Sequence, residues 1–112
     1  MLPRTYETFR RVYPDIFKAY DRLGTLAHEH GTLGPKTREF IKLAMAIGAK
    51  LEGAVHSHAR QALDAGGSPN EVRQAVLLGL TTLGFPSTMA ALTWVEDVLK
   101  ETARRKKRQK KK

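Results

Sequence analysis

Hydrophobic side chains recur along this chain every three to four residues, and no stretch alternates apolar with polar over the length of a strand. Ile16, Phe17, Tyr20, Leu23 and Ala27 share one side of a helical period. Tyr13-Pro14-Asp15 supplies a start for that helix. The N–H that proline lacks is one a first turn leaves unpaired anyway, and Asp15 lies near the positive end of the helix dipole. Gly31 is the expected stop, and Tyr6, Phe9 and Val12 predict a short leading turn of helix.

Gly34-Pro35 opens a second helix, whose apolar face holds Phe40, Ile41, Ala44, Met45 and Ile47. Residues 50–53 form the expected junction, with Gly53 as the residue that allows the turn, and a third helix spans 52–65. Ser68-Pro69-Asn70-Glu71 reads as a capping box with proline in the first helical position. Val72, Ala75, Val76, Leu78, Leu80 and Leu83 carry a fourth helix up to a break at Gly84-Phe85-Pro86-Ser87. A last helix over about 86–103 carries Met89, Leu92, Val95 and Leu99. The pattern predicts an all-α fold of five to six helices. The fourth is apolar on more than one face, so part of its cover is expected from another subunit.

Length and composition narrow the options. A chain of 112 residues is expected to form one domain. It has no cysteine, which removes disulfides and thiolate chemistry and agrees with a cytoplasmic location. No apolar run is long enough to span a membrane, and the mixed-charge start MLPRTYETFRR is not a secretory signal. The net charge of +9 comes almost wholly from residues 104–112, RRKKRQKKK, which hold eight of the twenty basic residues and no acid. The expected organisation is a helical domain over 1–103 and a disordered basic tail over 104–112. Such a tail is usually a solvated arm, whose contacts with nucleic acid or other anions are weak and non-specific.

One spacing carries chemical content. Glu39, Leu51, Ala54 and His58 stand in the frame E-x11-L-x2-A-x3-H, preceded by REFIKLAMAIGAK and followed by HARQALDAGGSPNEVRQAV. Over roughly residues 13–101 the chain resembles the carboxymuconolactone decarboxylase and alkylhydroperoxidase D superfamily, whose motif is E-x11-C-x2-C-x3-H. Leu51 and Ala54 stand where that family has its two cysteines. The resemblance implies an alkylhydroperoxidase-D-like helical bundle that assembles as a trimer or hexamer. In the peroxidase branch a Glu and a His relay protons to the cysteine pair, so dithiol peroxidase chemistry is excluded here. The decarboxylase branch, which does without the pair, implies another role. Glu39 and His58 would transfer a proton on a small carboxylated or lactone substrate, making the protein a lyase that needs no cofactor.

The competing reading is a catalytically degenerate oligomeric scaffold or binding module, with Glu39 and His58 as a structural pair between two helices. Arg60 and Lys50 are the candidate cations for an anionic substrate. The pairs His28/His30 and His56/His58 do not suggest a metal site, because residues two apart on a helix point about 200° from one another. Trp94 reads as core or interface. Gly79, Gly84 and Pro86 read as structural.

Overall fold

The structure is a computed structural model that describes residues 4–110. Those residues contain six α-helices, one 3-10 turn and no strand, which is the all-α class expected from the periodicity. The chain divides into two compact units that meet in sequence between Leu33 and Gly34, where a single domain was expected.

The first unit is a helical pair, α1 (Arg4–Val12) and α2 (Pro14–Glu29). The leading turn is thus a full helix. Aromatic side chains join the pair. Tyr6 meets Phe17 edge to face with ring centres 5.6 Å apart, and the Arg10 guanidinium lies 5.9 Å from the Phe17 ring centre. Neither helix contains a buried residue.

The second unit holds α3 (Pro35–Gly48), α4 (Glu52–Asp64), α5 (Pro69–Leu77), a 3-10 turn (Leu78–Thr81) and α6 (Phe85–Lys110). Helix α3 packs along α4, and both α4 and α5 pack on α6. The core draws on all four helices: Leu43 and Ile47, Val55 and Ala59, Val72 and Val76, Val95 and Val98.

The α3–α4 corner sets the register of the site. It turns at Lys50, whose φ of 59° is left-handed, and Gly53 lies inside α4. Lys50 N–H donates to the Ile47 carbonyl and Leu51 N–H to that of Ala46, satisfying two of the orphan carbonyls at the end of α3. The expectation that Gly53 makes this turn is corrected. Helix α4 ends in the same way with a glycine in the left-handed place, Gly66 at φ 103°.

Two helix ends differ from the sequence reading. The fourth helix tightens to 3-10 after Leu77 instead of running on to Leu83, at Gly79 and the β-branched Thr81 and Thr82, all poor helix formers. The last helix continues through Lys110, so residues 104–110 are helical where a disordered tail was expected. Residues 111 and 112 of that expected tail, like residues 1–3, lie outside the described ones.

Candidate active site

Glu39 lies in the second turn of α3 and His58 in the middle of α4. The Lys50 corner folds one helix back along the other, so residues nineteen apart in sequence become neighbours. His58 Nδ1 is 3.3 Å from Glu39 Oε1. Glu39 is buried, with 7% of its surface exposed, while the imidazole remains partly open to solvent.

A buried carboxylate must be matched by donors. Gln61, one turn beyond His58 on α4, supplies them. With its amide nitrogen turned toward Glu39, it donates to both carboxylate oxygens, at 3.2 and 2.9 Å, and its oxygen accepts from Ser57 Oγ at 2.9 Å. This orientation is the one that satisfies every partner. An ionised carboxylate only accepts, so His58 donates its Nδ1–H to Glu39. In the neutral ring the lone pair is then on Nε2. A base held by a carboxylate through its far nitrogen is an arrangement suited to moving a proton.

The positions that match the family's cysteines are near each other along α4 but differ in setting. Leu51 occupies the N-cap position of α4 without a side-chain hydrogen bond and is 55% exposed, whereas Ala54 packs against the core. Neither side chain can ionise. Gln61 and Ser57 were not among the residues expected to function. The available signal was spacing, since Gln61 follows His58 by three residues and Ser57 by four, on one helix face.

The structure does not bring the two candidate cations to the pair. Arg60 reaches across to α6, with Nη2 3.5 Å from Glu101 Oε2. Lys50 is an exposed corner residue. Lys42, half-buried on α3, follows Glu39 by three residues and so shares its face. Among the described residues no three His, Asp or Glu side chains stand close enough to hold a metal ion. No helix there is long and apolar enough to cross a membrane.

A separate apolar groove of about 770 Å³ runs between α3 and the α5–3-10 segment. Phe40, Ile41, Ala44, Ala75, Leu78 and Leu83 are among its lining residues, and the Lys36–Glu71 ion pair stands at its edge. Glu39 and His58 do not line it.

Comparison with known proteins bears on the family and the fold. The sequence profile of the Carboxymuconolactone decarboxylase family matches residues 14–97. An uncharacterized protein of Haemophilus influenzae is 37% identical over 59 residues, which cover 53% of this chain. The match spans about half, 52%, of that relative's length. The crystal structure of an apo carboxymuconolactone decarboxylase family protein from Legionella pneumophila superposes with a TM-score of 0.75, at 23% identity over 86% of each chain. A second solved structure, from Burkholderia xenovorans LB400 and bearing the same family name, gives 0.69 at 25% identity over 93% of this chain and 84% of its own.

Proposed function

This chain belongs to the carboxymuconolactone decarboxylase family, and on that premise we propose that it is a cysteine-less lyase acting by proton transfer through Glu39 and His58. The observation that carries the proposal is the 3.3 Å contact between a buried carboxylate and an imidazole still open to solvent. The substrate class is a small carboxylated lactone. The bond from its α-carbon to the carboxylate breaks, carbon dioxide leaves, and the electron pair stays behind as an enolate. His58, which takes up a proton on Nε2 from water as the turnover begins, gives that proton to the carbon and returns to the neutral ring, while Glu39 keeps hold of Nδ1–H. Lys42, on the face of Glu39, is the cation proposed to meet the substrate's charge. No dithiol step occurs, because the chain has no cysteine. The proposed working form is a cytoplasmic homo-oligomer, a trimer or hexamer.

Two readouts test this. Carboxylated lactones are incubated with the protein in deuterated water, and the product is assayed for deuterium at the carbon that lost carbon dioxide. Glu39→Gln and His58→Gln are each expected to slow the reaction by about 10²- to 10⁴-fold. Nitrogen-15 NMR of the His58 ring is expected to show the proton on Nδ1 in the wild type and to lose that preference in Glu39→Gln. Equal turnover in all three proteins would overturn the proposal.

A second reading is an oligomeric scaffold without catalysis. Its support is the row of exposed apolar side chains Leu77, Leu78, Leu80, Leu83 and Phe85, which lies outside the Glu39–His58 pair. Under it, the NMR result would hold while no lactone is turned over.

A further inference from the structure

We propose that the C-terminal turns of α6 are a cationic rod that binds the phosphates of duplex DNA from within the major groove, without reading sequence. This does not depend on the proton-transfer reading.

The rod is mounted on the core. Val95, Val98 and Leu99 of α6 are buried, and from Ala103 to Lys110 every residue of the same helix is exposed. Eight residues of helix extend about 12 Å. Like charges one turn apart, such as Arg104 with Arg108 and Lys106 with Lys110, weaken a helix. Two things oppose that here. The buried turns of α6 nucleate the extension, and cations suit the negative end of the helix dipole. Arg105 is held by Glu101 at 2.9 Å. Arg104, Lys106, Lys107, Arg108 and Lys110 have no acidic partner among the described residues. The rest of the chain is nearly neutral, with twelve basic residues against eleven acidic outside residues 104–112.

The distribution of charge selects the partner. Successive residues are about 100° apart around a helix, so cations at 104, 106, 107, 108 and 110 cover an arc of about 200°, and Arg105 stands in the remaining gap, so that the six together surround the axis. A flat anionic surface would meet about half of them. The major groove of B-form DNA is wide enough for a helix and has a row of phosphates on each side, so it meets cations on two opposite flanks at once. Residues 104–112 include no apolar side chain to enter a lipid interface. The major groove of duplex RNA is too narrow to admit a helix.

The test uses the full chain and a fluorescent mixed-sequence DNA duplex of about twenty base pairs, with anisotropy read across a salt series. Five phosphate contacts predict a slope of log K against log salt of about −4 to −5. The variant Arg104→Gln, Lys106→Gln, Lys107→Gln, Arg108→Gln, Lys110→Gln keeps good helix formers in place. It is expected to bind at least about tenfold more weakly, with most of the slope gone. Replacing Arg104, Arg105 and Arg108 together by Lys retains the charges, and should leave affinity within about threefold. Undiminished binding by the glutamine variant would overturn the proposal. So would equal competition by duplex RNA or by phosphatidylserine vesicles. Circular dichroism of both variants checks that the helix persists.

Discussion

Gln61 shows how much a single side chain contributes to the candidate site. Its amide donates to both oxygens of Glu39, so the carboxylate is held in a fixed plane while His58 takes one oxygen. Replacing it with Leu leaves a buried carboxylate short of two hydrogen bonds. The expected cost is about 1–3 kcal/mol, read as a lower urea midpoint at unchanged slope. A midpoint unchanged from wild type would mean that water replaces the amide. The frame E-x11-L-x2-A-x3-H made Glu39 and His58 legible in the sequence, because two helices folded back at a fixed corner leave little choice of neighbour. It said nothing of Gln61, whose role depends on an amide orientation that only the three-dimensional neighbourhood decides. Nor did it place the corner at Lys50. Glycine is the usual residue in a left-handed position, and Gly53 therefore looked the better candidate.

At the scale of the element, legibility followed locality. The capping box of α5 was readable because both of its bonds form within four residues. Ser68 N–H donates to Glu71 Oε1 at 3.0 Å, and Glu71 N–H donates to Ser68 Oγ at 3.1 Å. Ser68→Ala is expected to destabilise the protein by about 1 kcal/mol, checked by thermal melts. The ends of α5 and α6 were less readable, because they depend on packing and on how a run of like charges is supported. Ion pairs between elements give α5 a pH dependence as well. Hydrogen bonds from Arg73 hold Glu96 below its ordinary value of 4.5, and Lys36 does the same for Glu71. A depressed carboxylate contributes stability above its unfolded value, and the contribution is lost as the pH falls through the folded one. Wild type is therefore expected to melt above Glu96→Gln at about pH 6, with the gap closing below pH 4.5. A gap that persists in acid would assign the difference to packing.

For the whole molecule, the helical class was written in the periodicity, but the division into two units was not. The apolar spacing of α2 looks like that of any core-facing helix, yet Ile16, Tyr20 and Leu23 are 58–66% exposed. On the other unit Leu78 and Phe85 are exposed to a similar degree, 66% and 64%. A surface so apolar is a normal mark of an interface. The proposed oligomer is therefore expected to sediment well above the 12.5 kDa of one chain, and Leu78→Glu to shift it toward smaller species. A wild type that sediments as a monomer at all concentrations would remove the oligomer from the proposed function.

The continuity of α6 has one more consequence. Because one unbroken helix joins the buried Val95, Val98 and Leu99 to exposed residues as far as Lys110, a reporter at its far end is tied to the tumbling of the body. The chain has no thiol, so Gln109→Cys would offer a single chemical handle. A dye attached there would rotate as slowly as the particle that carries it, and would read the size of that particle directly.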